Sequence, residues 1–342
     1  MKIYYVANAR MPSEKAHGIQ LAKMCEAFLL SGADLELVLP RRGHGGSLKE
    51  FYGLKVEVPV KRLPVLNFGF VLSSVSFMFS YLFYLRTKKD AIVYTIDMDN
   101  FSFAFIRLLG FKYFSEIHDS KERNMVWSFF FKKISGVVAI NKNIKKNLVK
   151  NFGLGEDKII VKPNGIDLQM FSNKTSKEEA RKKLGLALDK KVAVYVGREI
   201  SWKGMEILDE AQGLLREEKI QRVSDRPFQE IPLWLAAADL LLVLGTKKND
   251  YSYLYTSPMK IFEYMASGRP ILASDTPANR EILSEDEAYF YQPDNAQDLA
   301  NKIKQIMTNP PDLELKVDNA RKKVEEYTWT KRAGKILEIM NK

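Results

Sequence analysis

Thr256-Ser-Pro-Met-Lys-Ile-Phe-Glu-Tyr-Met-Ala-Ser-Gly-Arg-Pro-Ile-Leu-Ala-Ser-Asp275 reads as a loop, a short helix, a glycine stop and a buried strand ending in an acid. Ser257 is the expected helix cap, and Pro258 suits the first turn, where no amide donor is needed. Ile261, Phe262 and Met265 form the apolar side, Gly268 permits a left-handed exit, and Pro270 opens the strand. The first turn of such a helix presents free amides, a ready anion site, and Glu263 stands just behind it. By itself the stretch establishes an α/β protein with a candidate phosphate site.

Outward from it, short β-branched runs alternate with longer amphipathic stretches, the pattern of parallel sheets covered by helices. Strands are expected at 2–7, 35–39, 91–96, 113–117, 136–140 and 159–162, with helices at 18–30, 71–85, 101–109 and 143–151. A second sheet begins at Val192–Val196 and continues through 240–244, 271–273 and 288–291, with helices at 204–215, 296–307 and 320–326. The charged, strand-poor segment Ser172–Lys190 reads as a linker. The expected domains are therefore residues 1–170 and 171–342.

A second informative stretch is Val194-Tyr-Val-Gly-Arg-Glu-Ile-Ser-Trp-Lys-Gly204: a strand ends at Gly197, and a loop carries Arg198 and Lys203 ahead of a helix. Two cations beside a helix N-terminus suit a diphosphate, although an exposed basic loop would look the same from composition alone. His118 ends the strand Tyr113-Phe-Ser-Glu-Ile-His-Asp, at the carboxyl edge where open α/β sheets bind ligands. The loop Ala7–Gly18 lacks the spaced glycines of a dinucleotide fingerprint. Asp97-Met98-Asp99 follows a strand and reads as a strand end and helix cap, so no metal is assigned.

Together these motifs resemble the nucleotide-sugar signature of retaining glycosyltransferases with two Rossmann-like domains facing a cleft (the GT-B fold, family 4), in a subgroup carrying Ser-Pro-Met-Lys before Glu-Tyr-Met-Ala-Ser-Gly. The resemblance implies that Glu263 holds the donor ribose, while Ser257, Pro258, Met259 and Lys260 face the donor's phosphates and sugar. It implies that Arg198 and Lys203 stabilise the leaving diphosphate. His118 would line the cleft near the transferred sugar as a positioning and charge-stabilising group, and Gly18 would let the first loop approach donor and acceptor. His17 has no such support. Pro163-Asn-Gly-Ile-Asp167 with Phe171 is similar to the family's domain-closing turn, and the last helix, near Tyr327–Arg332, would cross back to the first domain. The implied reaction needs a nucleotide-sugar co-substrate and a glycan or lipid-linked acceptor, with no cofactor and no metal.

Two departures stand out. The family often has a glutamate eight residues before the one matching Glu263; here that position is Tyr255. Only Arg216–Ile231 separates Leu215 from Pro232, so about 30 residues, one strand-plus-helix unit, are missing from the second domain.

The 342 residues suffice for two domains, each with its own core. One cysteine, Cys25, in an apolar helix pattern excludes a disulfide framework and reads as a buried thiol. Three scattered histidines give no zinc-site spacing. Net charge is +11, and residues 1–170 carry 25 Lys+Arg against 15 Asp+Glu, whereas the remainder carries 28 against 27. The basic half suits an anionic membrane surface or a phosphorylated acceptor; no nucleic-acid motif accompanies it. Leu63–Leu85 is uncharged but interrupted by Pro64, Asn67, Gly69 and serines, which favours a core helix over a span and leaves an interfacial edge open. Met1-Lys2 leads straight into a strand, so a cytoplasmic protein, peripheral on the inner membrane face, is expected. Rival readings are a non-catalytic relative, a nucleotide-sugar epimerase and a polyanion-binding module.

Overall fold

The strands among the described residues are short, and those that pair do so in parallel. The computed structural model describes residues 2–42, 45–66, 68–88, 90–97, 99, 102–172 and 175–342. It divides into two units: residues up to Asn164 together with Trp329–Lys342, and Gly165–Thr328.

The first unit carries β1 (Lys2–Val6), β2 (Asp34–Pro40), β3 (Val60–Leu63), β4 (Ala91–Ile96), β5 (Lys112–Ile117), β6 (Gly136–Ala139) and β7 (Ile159–Val161). They form one 7-stranded sheet in the order β3-β2-β1-β4-β5-β6-β7. β1 lies between β2 and β4, with Ile3 opposite Leu35 and Ile92. Helix Ala16–Leu30 packs on this sheet and also against the terminal helix Trp329–Met340. The second unit holds β8 (Lys191–Val196), β9 (Glu218–Val223), β10 (Leu240–Val243), β11 (Ile271–Ser274) and β12 (Tyr289–Tyr291), in a 5-stranded sheet ordered β12-β11-β10-β8-β9.

Alternation along β8 shows why a parallel sheet results. Val192, Val194 and Val196 enter a core with Phe262, Tyr264 and Trp234, while Ala193 and Tyr195 enter the opposite one with Leu208, Leu299 and Ile303. Both faces are covered, so the strand is apolar throughout rather than half polar.

Several expectations need correction. The segment taken as a linker belongs to the second unit and folds: Ser176 accepts from the Glu179 amide to start helix Lys177–Leu184. Its charges pair outward as Glu178–Lys182 and Glu179–Lys183, while Ala180 is fully buried. Buried Arg181 donates to the carbonyls of Ala237 and Lys190 and pairs with Asp239. A charged composition with one small inward residue hid an amphipathic turn. The two units divide between Asn164 and Gly165. The helix expected over 101–109 is, in its described part, a turn followed by a single 3₁₀ segment, Ile106–Leu109, stopped by Gly110 at φ 75°; Phe101 lies outside the described residues. Edge strand β3 and helices Met125–Phe131 and Ile231–Ala237 were not anticipated. Between helices Glu206–Leu214 and Ile231–Ala237 lie only β9 and the short turn Phe228–Glu230.

Candidate active site

In the second unit the chemistry gathers at the carboxyl end of β8. Gly197 leaves that strand at φ 133°, a conformation that favours glycine, and a Cβ there would come within 2.8 Å of the Lys260 Nζ. The following loop winds through the turn Ser201–Lys203, which brings the Lys203 Nζ back to donate to the Arg198 carbonyl at 3.0 Å. Trp202 braces this loop edge-on against Tyr251, with ring centroids 5.1 Å apart. Tyr251 itself lies in a π-helical turn, Tyr251–Tyr255, whose Ser252 hydroxyl accepts from the Thr246 amide. Such wide turns are frequent at functional sites.

Helix Met259–Ser267 supplies the rest. Its N-cap position is Pro258, one residue past the expected Ser257, and the proline offers no side-chain acceptor. The first turn of such a helix presents backbone amides. Tyr264 fixes this helix to the strand end, its hydroxyl accepting from the Val196 amide at 2.9 Å. Lys260 folds over the Tyr195 ring, 3.9 Å from its centroid. Glu263 is buried, 8% exposed.

These groups are electrostatically mismatched. Burial and then the nearby Arg198 push Lys203 down to about 8. Burial pushes Lys260 well below its ordinary value, Lys203 adds to the shift, and Glu263 partly opposes it. Burial raises Glu263 to about 7 against the pull of Lys260. Electrostatic contacts thus run from Arg198 to Lys203, on to Lys260 and from there to Glu263, a carboxyl itself reluctant to ionise, and an anion among the basic groups would relieve the arrangement.

The first unit contributes a different construction. His118 follows β5, and its Nε2 lies 2.7 Å from Oε1 of Glu116. Glu116 is fully buried within β5. Gln20 donates to the same oxygen at 2.6 Å, the Tyr94 hydroxyl to Oε2 at 2.7 Å, and Arg332 reaches both oxygens, at 2.7 and 3.1 Å. Arg332 also donates to the carbonyls of Pro163 and Lys162. Burial opposes ionisation of Glu116, but Arg332 and His118 hold its carboxyl far below the ordinary range.

The helix carrying Gly18 begins at Ala16, so His17 and Gly18 lie in its first turn and not in the loop ahead of it. A Cβ on Gly18 would meet the Ser13 carbonyl and the Tyr52 hydroxyl, each at 2.7 Å. Tyr52 pins that loop by donating to the Ser13 carbonyl and accepting from the Ser13 amide. Asp97 is paired with Lys121 at 2.6 Å, and Asp99 caps the Ser102 amide at 2.6 Å; Met98 lies outside the described residues. Cys25 is buried, and its thiol is raised by desolvation. The structure thus gathers Arg198, Lys203, Lys260 and Glu263 in the second unit and places His118 in the first. Sequence reasoning missed Gln20, Tyr94, Glu116, Tyr195 and Arg332 as supports. Of these, Glu116 carried a signal, because a charged residue inside a buried strand needs a partner.

Two family models match the chain: Glycosyltransferase Family 4 over residues 18–170 and Glycosyl transferases group 1 over residues 194–309. Among curated proteins, the putative teichuronic acid biosynthesis glycosyltransferase TuaC of Bacillus subtilis is 30% identical over 188 residues, 49% of this chain and 46% of TuaC. The matched region spans about half the length of the curated relatives. Among solved structures, sucrose-phosphate synthase from Thermosynechococcus elongatus superposes with a TM-score of 0.80 at 16% identity, over 99% of this chain and 98% of that one. Anabaena Alr3699/HepE in complex with UDP-glucose gives 0.77 at 16% identity, over 100% and 99%.

Proposed function

We propose, from the family models that match residues 18–170 and 194–309, that the chain is a GT-B glycosyltransferase that transfers a sugar from a nucleotide-sugar donor to a glycan or lipid-linked acceptor, with retention at the anomeric carbon, in polysaccharide or cell-envelope glycan assembly. One observation carries the reading: Lys203, which neighbours Arg198, also neighbours Lys260 in the first turn of helix Met259–Ser267, where Lys260 lies beside the half-neutralised carboxyl of Glu263. Such a site suits a polyanion, and a nucleoside diphosphate supplies one.

In this reading Glu263 accepts hydrogen bonds from the donor ribose, and the first-turn amides with Lys260 hold the phosphates. As the anomeric bond to the diphosphate breaks, Arg198 and Lys203 stabilise the charge that develops on the leaving phosphate oxygen. The acceptor hydroxyl attacks from the same face and passes its proton to that oxygen, so no protein base is required. His118 positions the sugar.

The acceptor half is proposed to work at an anionic membrane surface. Supporting this, Leu66, Phe68, Phe70, Leu72, Phe79 and Phe83 are each more than 60% exposed, on and just before helix Phe70–Leu85. Residues 58–89 contain Lys61, Arg62, Arg86, Lys88 and Lys89 and no acid. Arg86 stacks on Phe83 at 3.7 Å. Apolar side chains bordered by cations suit an interface with anionic headgroups. No helix among the described residues is long and apolar enough to cross a membrane.

The testing experiment is a thermal-shift panel of UDP, GDP, ADP and their common sugar conjugates on the wild type and Arg198→Ala. Selective stabilisation by one nucleotide, lost in the variant, supports the donor site; the matching nucleotide sugar then goes into an acceptor screen. A second reading, a relative that binds nucleotide without turnover, is favoured by Tyr255 and by the single-strand passage through β9. It predicts the same shift with no transfer to any acceptor.

A further inference from the structure

The geometry points to Glu116 and Arg332 as positioning residues that set the tautomer of His118, leaving its Nδ1 as the ring atom offered to substrate. The argument begins with Glu116, whose two oxygens receive hydrogen bonds from Gln20, Tyr94, His118 and twice from Arg332. A carboxylate has about four lone-pair sites, so this one is saturated. The guanidinium of Arg332 can only donate and reaches both oxygens, so it pairs with an ionised carboxylate, which accepts from the Gln20 amide and the Tyr94 phenol as well. Protonating Glu116 would forfeit that bidentate ion pair. The carboxyl is therefore the acceptor in each contact, and the Nε2 of His118 must carry the hydrogen it shares with Oε1.

That assignment has a consequence at the other ring nitrogen. In the neutral imidazole with hydrogen on Nε2, Nδ1 bears the lone pair. Among the described residues no side chain is bonded to Nδ1, while the His118 side chain is 22% exposed. Nδ1 is thus prepared to accept a hydrogen bond from a hydroxyl, which is the chemistry of a sugar. The opposite tautomer would set two lone pairs, on Nε2 and Oε1, against each other at 2.7 Å.

Arg332 earns its place by geometry. It arrives on the terminal helix, 216 residues beyond Glu116 in sequence, and is 4% exposed. Its Nε and NH2 groups grip the Pro163 and Lys162 carbonyls, so the guanidinium plane is fixed independently of the carboxylate. The fixed fork holds Glu116, and Glu116 holds the ring. A lysine has one point of charge and cannot make the same fork.

The use of Nδ1 toward substrate rests on the glycosyltransferase reading, but the tautomer does not, and the experiment separates them. Imidazole-¹⁵N-labelled full-length protein carries three histidines, and the His118 signals are identified by their loss in His118→Gln. Above the histidine titration, the wild type is expected to show His118 with hydrogen on Nε2 alone, and Glu116→Gln to show mixed tautomers. A wild-type ring with hydrogen on Nδ1, or a Glu116→Gln ring indistinguishable from wild type, would overturn the proposal. Should Glu116→Gln fail to fold, Arg332→Lys replaces it, with the same loss of a single tautomer expected and an unchanged ring overturning it. Where transfer is measurable, kcat in the folded variant should fall at least about tenfold with the nucleotide-induced thermal shift unchanged; retained kcat would sink the positioning role. Absence of transfer in the wild type would defeat the functional reading and leave the tautomer result standing.

Discussion

The two units meet the problem of buried charge in opposite ways. In the first, the carboxylate of Glu116 is saturated by Arg332, Gln20, Tyr94 and His118. In the second, basic groups stand next to one another, Arg198 by Lys203 and Lys203 by Lys260, with Glu263 opposing Lys260 alone, and the strain appears as depressed lysines and an elevated glutamate. A saturated network orients a side chain before any ligand arrives. An unsaturated cationic site spends little on its own structure and gains when an anion enters. Preorganisation and ligand dependence are thus segregated by unit.

The largest effect that could break this comparison is loss of Arg332. Arg332→Met leaves Glu116 buried without its cation and should destabilise the chain by about 3–5 kcal/mol, read from denaturant unfolding. If the variant unfolds at the wild-type midpoint, the network is not the keystone described here. Lys203→Ala should do the reverse: little change in stability, with nucleoside diphosphate affinity reduced about tenfold to a hundredfold by calorimetry. Equal damage to stability would erase the distinction between the units.

A subtler effect is the proton balance of binding. Diphosphate favours charged Lys203, whose value of about 8 lies below the ordinary lysine value of 10.5. Binding near pH 8–9 should therefore take up protons, seen as a dependence of the binding heat on buffer ionisation, and affinity should fall as pH rises through that range. The linked stability runs the other way without ligand: between about 8 and 10.5 the unfolded chain binds more protons at this lysine, so its contribution to stability rises with pH. The smallest effect concerns the exposed aromatics. Phe68→Ser with Phe70→Ser should change stability by less than about 0.5 kcal/mol each while reducing co-sedimentation with anionic vesicles. Unchanged sedimentation would remove the membrane proposal.

Much of the fold was legible because its signals are local. Apolar runs such as Ala91–Ile96 and Leu240–Val243 announce buried strands within a few residues, and Gly268 announces a helix end. The cationic loop was legible for the same reason, since Gly197, Arg198, Lys203 and Gly204 are neighbours in sequence. The charged helix Lys177–Leu184 was misread because a single buried face of Ala180 and Arg181 makes a weak apolar signal. The cap at Ser257 was misplaced because the proline that follows it occupies the capping position itself.

Sequence alone, then, determined the parallel α/β architecture, the helix that stops at Gly268 and the basic loop beside it, because each is encoded by spacing within a dozen residues. Only the tertiary structure decided what those pieces do to one another. Lys260 rests on Tyr195, Tyr264 locks onto Val196, and Arg332 closes on Glu116 from the far end of the chain. Such contacts join residues whose separation carries no periodic signature, and their energies depend on burial and on angles that exist only once the sheets are assembled.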